Sequence, residues 1–383
     1  MLLHPATRLS HLRNFPNNLR VKDDTTKVSL TKCEEAPLIS ASIQRLGVVL
    51  SPNADPTEVE GVLNPACART RNGELLLYPR DVAEGNISRI GRVRVHERNG
   101  TFDSTRDGFV LEPEEPYEVR SHPGFGCEDP RVTFIPAIDR YVMAYTAFGQ
   151  AGPRIAVALS HDALAWERLG LMRFERPGMG TGDDKDAAFF PEPVLSPEGV
   201  RSLAFYHRPM LHLSAVDGLA AIPIIERLPL EDRESIRIGY IALDPVLADI
   251  KNLLDVNESA IVMSPSREWG SIKIGGGTPP IRIAEGWLSL YHAVDVLGVA
   301  DNRPKFRYSA GIVIHDIERP QRVLYRSSEP LFTPESEDER NGTVDNVVFP
   351  TGIDPRPDLG ERVFDVFYGM ADYAIGAARM TLR

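Results

Sequence analysis

The chain has 383 residues, 42% hydrophobic and 25% charged, a balance that supports a packed core and argues against disorder. A formal net charge of −11 opposes general nucleic-acid binding, because the summed field repels a phosphate backbone, yet it leaves room for a local basic pocket that holds one small anion. Three cysteines (Cys33, Cys67 and Cys127) are too few and odd in number for a disulfide framework, and no stretch approaches the ~18 apolar residues of a membrane helix. The N-terminus also lacks the apolar centre of a standard secretion signal, so a reducing cytoplasm is the expected compartment.

Residues 1–40 are expected to form an N-terminal extension, partly helical around Leu9 to Leu19, where apolar residues recur loosely. From 41 to 383 the chain changes to short β-type runs, punctuated by many of its 31 prolines and 30 glycines. RLGVVL, ending at Leu50, reads as an outer strand that helps close the ring. Thereafter an apolar run ends or nearly ends in tyrosine five times, at Tyr78, Tyr145, Tyr206, Tyr291 and Tyr368. A short segment with a proline precedes each (Pro65, Pro130, Pro191, Pro280 and Pro350). A third strand-like run follows each, starting at Arg89, Arg154, Arg237, Ser309 and Ile375. Some units show a fourth strand, such as WERLGL from Trp166.

Consecutive antiparallel strands repeated at a roughly constant period predict an all-β fold, a five-bladed β-propeller spanning 41–383, with a β-sandwich as the alternative. Proline suits the innermost strand of a blade, because that strand is an edge. Leu211 to Glu234 is longer than its counterparts and reads as an insertion over one face, a substrate lid or an oligomer contact.

If the proline segments line a channel, the polar residues beside them converge: Asn64, Glu128, Asp129, Arg131, Lys185, Asp186, Glu192 and Lys273. The strand ends after the tyrosines add Arg80, His207, Arg208, His292 and Asp372. Any one of these could be a bland ion pair, but their recurrence at equivalent places points to a site. Tyr206 and Tyr291 are expected in the core rather than stacked on a ligand. Gly275-Gly276-Gly277 lacks the following Lys-Ser/Thr of a phosphate loop and reads as a close approach of backbone to the channel. The histidines show no metal-ligand spacing, so no metal or cofactor is expected.

The segments GCEDPRVTFI, YVMAYTAF, KDAAFFPEPV, FYHRP, IKIGGGTPPI, GWLSLYHAV, VVFPTGI and YGMADYAIGAA, in this order, resemble glycoside hydrolase family 130. The resemblance spans roughly Asn64 to Leu382 and implies a five-bladed propeller that acts on β-mannosides. It implies Asp129 as the catalytic acid, relaying its proton through a sugar hydroxyl. Lys185, Arg208 and Lys273 fall at the positions of a phosphate-binding cluster. Asn64, Arg89, His292 and Asp372 fall at positions that contact the mannosyl unit or its neighbour, and Glu128 and His207 complete the expected sugar-binding set.

Most members transfer a terminal mannosyl group to inorganic phosphate with inversion, releasing α-mannose 1-phosphate, and a few hydrolyse it with inversion. Hydrolysis needs a second carboxyl to activate water, for which Glu192 or Asp186 are the candidates, whereas phosphate is already an anionic nucleophile. Three cations beside one obvious acid therefore favour phosphorolysis. The competing reading of Lys185 is a pair with Asp184 or Asp186 on a solvated loop. The expected partners are a mannosyl di- or oligosaccharide, β-1,4 or β-1,2 linked, and phosphate. The sequence is compatible with a homo-oligomer.

Overall fold

Leu75–Ala83, Arg140–Gly149, Arg201–Pro209, Gly286–Ala300 and Val363–Met370 are the strands that carry the five repeated tyrosines. The computed structural model describes residues 39–174, 182–211, 218–300 and 302–383. The extension expected over 1–40, including its helix at Leu9 to Leu19, lies outside them apart from Ile39 and Ser40. Among the described residues each tyrosine strand is the second strand of an antiparallel meander, and the protein is nearly all β.

The first meander runs Gly61–Arg69, Leu75–Ala83, Ile87–Arg98 and Thr101–Leu111. The second runs Phe125–Ile135, Arg140–Gly149, Gly152–Ser160 and Glu167–Leu171. Asp184–Phe189, Arg201–Pro209, Ile236–Ala242 and Glu258–Met263 form the third. Lys273–Gly276, Gly286–Ala300, Arg303–His315 and Val323–Arg326 form the fourth. The fifth takes Val348–Pro355, Val363–Met370 and Ala374–Leu382 from the chain end, and its fourth strand is Ala41–Leu50 from near the start. The outer-strand reading of RLGVVL is therefore met.

Runs such as LLLY and VMAY are apolar at consecutive positions because both faces of these strands are covered. Five clusters of buried side chains do the covering, and each joins two meanders. Ala66 and Tyr78 meet Cys127 and Met143; Ile135 and Val157 meet Phe189 and Phe205; Ala188 and Ile238 meet Ile274 and Trp287. Leu288 and Ile312 meet Ile353 and Phe364, and Phe367 and Ile375 meet Val62 and Leu77, which joins the fifth meander to the first. The five tyrosines are buried within such clusters, Tyr291 against Trp269, so the core reading of Tyr206 and Tyr291 holds.

The proline signal needs correction. Pro65, Pro130 and Pro350 lie in the first strands of their meanders, but Pro191 and Pro280 fall beyond the strands Asp184–Phe189 and Lys273–Gly276. What recurs is a bulge: the register slips between Leu63 and Ala66, Glu128 and Arg131, and Lys185 and Ala188. Asn64, Asp129 and Asp186 occupy these bulges with φ of 47°, 47° and 61°. Asn and Asp tolerate this left-handed conformation better than other side chains, and a bulge turns its residue out of the regular alternation.

Arg131, 1% exposed, ties the bulges at Asp129 and Asp186 to the glycine run. Its guanidinium donates to the carbonyls of Asp129 (2.8 Å), Gly276 (3.2 Å) and Gly277 (3.2 Å), and to Asp186 Oδ1 (3.4 Å). The second, third and fourth meanders thus meet on one side chain. Arg131→Leu leaves three carbonyls and one carboxylate short of a donor, and should cost about 3–5 kcal/mol. The check is the urea midpoint, which should fall at unchanged m-value.

Candidate active site

The bulges deliver Asn64, Asp129 and Asp186 to one cavity of about 190 Å³. Three more residues come from the second strands: Arg80, Arg208 and His292. Asp372 enters from the turn between the second and third strands of the fifth meander, with φ of 48°. Lys185 and Lys273 project from first strands, and Met210, Tyr308 and Phe349 complete the wall. A larger hollow of about 330 Å³ beside His161 and Arg168 is lined by residues of the second meander and Ile250 and receives none of the bulge residues.

Asp129 Oδ1 accepts from Asn64 Nδ2 at 2.9 Å and lies 3.3 Å from Arg80 Nη1. Burial opposes its charge, but Arg80, Lys185 and Arg131, with the Asn64 hydrogen bond, outweigh burial and hold its pKa below the ordinary value. Asp372 behaves oppositely. Burial and then the negative charge of Asp129 push it up to about 6, against the pull of Arg80 and Lys185. The two carboxyls therefore differ in role: the first proton taken up as pH falls goes to Asp372.

On the other side of the cavity Asp186 Oδ2 accepts from Arg208 Nε at 2.7 Å, and His292 Nε2 lies 3.5 Å away. Burial again opposes the charge, but Arg208, His292 and Arg131 hold Asp186 far below the carboxylate range. His292 is driven down to about 3, chiefly by burial, so it is neutral, and its Nδ1 has no partner among the described residues. Lys273 lies 5.7 Å from the Tyr308 ring centre and makes no direct ion pair among the described residues, while Tyr308, Glu234 and Asp186 favour its charge. The glycine run allows this crowding. A Cβ on Gly275 would sit 2.2 Å from Asp186 Oδ2, and one on Gly277 2.6 Å from the Leu290 carbonyl.

Of the ten residues given a catalytic, phosphate- or sugar-binding role from sequence, Asn64, Asp129, Lys185, Arg208, Lys273, His292 and Asp372 line the cavity, and three do not. Glu128 stands behind it as a clamp, its two oxygens 3.0 Å from Arg80 and 2.9 Å from Lys185. Lys185 is thus paired with Glu128, not with Asp184 or Asp186 on a solvated loop. His207 is fully buried between Asp184 (2.7 Å) and Ser259 (2.8 Å), because successive strand residues face opposite ways and Arg208 takes the cavity side. Arg89 lies on the third strand, one strand beyond Arg80, and pairs with Glu112 at 3.2 Å. Glu192 is also excluded from the cavity, since it is 43% exposed and pairs with Arg282. Sequence reading missed Met210, Tyr308 and Phe349, and it missed Glu234, whose carboxylate holds Arg208.

Comparison with known proteins gives this geometry a family. The model of glycoside hydrolase family 130, described as beta-1,4-mannooligosaccharide phosphorylase, matches residues 29–215 and 246–383. A 1,2-beta-oligomannan phosphorylase from a Thermoanaerobacter species is 30% identical over 300 residues, covering 78% of this chain and 80% of that one. A beta-1,4-mannooligosaccharide phosphorylase from Ruminococcus albus is 39% identical over 121 residues, 32% of this chain and 34% of its own. Among solved structures, the beta-1,2-mannobiose phosphorylase from Listeria innocua, in complex with beta-1,2-mannobiose, superposes with a TM-score of 0.64 at 23% identity. That alignment covers 88% of this chain and 96% of the other. The chain belongs to glycoside hydrolase family 130.

Proposed function

We propose that this protein is an inverting β-mannoside phosphorylase that moves the non-reducing terminal mannosyl group to inorganic phosphate and releases α-mannose 1-phosphate. The relatives carry both β-1,2 and β-1,4 names, and the substrate is a mannosyl di- or oligosaccharide of one of these linkages. Five meanders joined in a cycle by five apolar clusters support a five-bladed propeller as the frame, with the cavity at its axis. Free, buried Cys67 and Cys127 fit a reducing cytoplasm.

One observation carries the choice of phosphate over water: Arg208 and Lys273 share the cavity with Asp129, and Lys273, whose charge is favoured by Tyr308, Glu234 and Asp186, makes no direct ion pair among the described residues. A phosphate dianion completes that pair of charges and brings its own nucleophilic oxygen. The hydrolytic alternative needs a carboxylate free to take a proton from water. Glu192 is outside the cavity, and Asp186 is held ionised by Arg208 and Arg131, which makes it a poor base.

The acid also follows from the same charges. Asp129 is held below the ordinary carboxyl range by cations, so it needs added negative charge nearby to bind a proton. Phosphate at Arg208 and Lys273 offsets part of the cationic field and shifts Asp129 toward the protonated form. The proton then passes to the leaving oxygen through a hydroxyl of the bound sugar. Asn64 and Asp372, on the same side as Asp129, are placed to accept and donate hydrogen bonds to that sugar.

Incubation with β-1,2- and β-1,4-mannobiose, with and without phosphate, tests the reading. α-Mannose 1-phosphate should form only with phosphate, whereas equal release of free mannose in both tubes would establish the hydrolase. Asp129→Asn should lower kcat about 10²-fold or more.

Asp372 gives a separate prediction in pH. Its native pKa, about 6, exceeds the unfolded value, so the native state binds more protons in between and stability falls as pH rises through that window. The cost is complete above the native pKa. Asp372→Asn should therefore melt higher than the wild type at pH 8, with the gap closing in acid, while mannoside turnover falls. Thermal melts across pH read the first effect and initial rates the second.

A further inference from the structure

Glu234 closes the Leu211 to Glu234 insertion, which from residue 216 onward falls in the gap between the two segments matched by the family model. Three contacts bind it to the cavity wall that carries Arg208 and Lys273. One carboxylate oxygen pairs with Arg208 Nη1, and the other accepts from the Leu211 backbone N–H at 3.3 Å. Its main-chain carbonyl accepts from the N–H of Ile274, next to Lys273, at 3.1 Å. Arg233 extends the strap, donating to the carbonyls of Glu226 and Leu228 at the end of the helix Gly218–Arg227 and to the carbonyl of Ser271. From that helix, Ile222 and Ile225 pack against Ile272, Val294 and Tyr308, so the described part of the insertion backs the strand of Lys273.

A carboxylate beside an anion-binding guanidinium has two effects of opposite sign. Its charge repels the anion, while its hydrogen bond fixes the guanidinium in one orientation. Here Asp186 holds Nε of Arg208 and Glu234 holds Nη1, which leaves Nη2 without a partner among the described residues. The clamp fixes the plane of the fork, and the main-chain bond to Ile274 fixes Lys273 relative to it.

We propose that Glu234 is a positioning residue for phosphate, setting the orientation of Arg208 and its spacing from Lys273 so that the two cations grip one anion. The proposal rests on phosphate being the co-substrate. Positioning and charge predict opposite outcomes for Glu234→Gln, which keeps the size and removes the charge. Positioning predicts that the Kd for inorganic phosphate by calorimetry, and the phosphate KM, rise about tenfold. The mannoside KM and the melting temperature should hardly move. Unchanged or tighter phosphate binding would overturn the proposal, tighter binding being the result of charge removal alone.

Arg233→Ala cuts the link to Ser271 and leaves the Arg208–Glu234 pair in place. It should weaken phosphate binding by a smaller factor, and it decides the matter if Glu234→Gln does not fold; unchanged binding there counts against the strap. The two readings fail differently. Wild-type protein without phosphate-dependent turnover sinks the phosphorylase, whereas wild type and Glu234→Gln binding phosphate equally well sinks only the role of Glu234.

Discussion

Much of this molecule hangs on where the guanidinium of Arg131 can go. It is almost wholly buried, and a charge in such a place is tolerable only if every donor finds a partner. Its partners are carbonyls and a carboxylate from three successive meanders, offered at their bulges and at the glycine run. The carbonyl of Asp129 is one of them, so the same bond that joins the sheets also fixes the backbone of Asp129. Left-handed backbone at Asn64, Asp129 and Asp186 is costly in isolation, of order 1–3 kcal/mol each. The surrounding bonds hold it, and the side chains that result point away from the sheets and toward each other.

The cavity built this way is nearly neutral, with three carboxyls and four cations on its wall. Its order lies in how they are paired. Glu128 serves Arg80 and Lys185 from behind, and Asp186 and Glu234 serve Arg208. Lys273 makes no direct ion pair among the described residues, although Tyr308, Glu234 and Asp186 favour its charge, and Asp372 is the cavity carboxyl least able to ionise. A sugar next to Asp372 would meet the carboxyl whose charge is least favoured there, and an anion next to Lys273 would meet a cation with no direct ion pair among the described residues. On the proposed function, substrate binding completes an electrostatic arrangement that the fold leaves open, and the same completion lets Asp129 take up its proton.

The sequence exposed the frame through runs that are apolar at consecutive positions and end in tyrosine, since strands covered on both faces have no room for polar alternation. It exposed Asp129, Lys185, Arg208, Lys273, His292 and Asp372 through motifs whose order could be recognised. It took proline as the mark of the first strand, but proline accompanies the bulge in only some meanders, whereas positive φ, which no residue type announces uniquely, is the property shared by Asn64, Asp129 and Asp186. His207 was misread because a strand alternates: once Arg208 faces the cavity, its neighbour faces Asp184. Glu128 and Arg80 differ only in which stands in front, a matter of depth that spacing does not encode. Glu234 was hidden by distance along the chain, since its role comes from an insertion that returns to Arg208 and Ile274.

In the proposed reaction phosphate is the group that attacks the sugar. Following the reaction by 31P NMR, with β-mannobiose and one equivalent of phosphate, tests this at the reacting atom. The phosphate signal should decline in step with the appearance of an α-configured sugar 1-phosphate, one for one with the sugar released. A phosphate signal that stays constant while free mannose accumulates would contradict it.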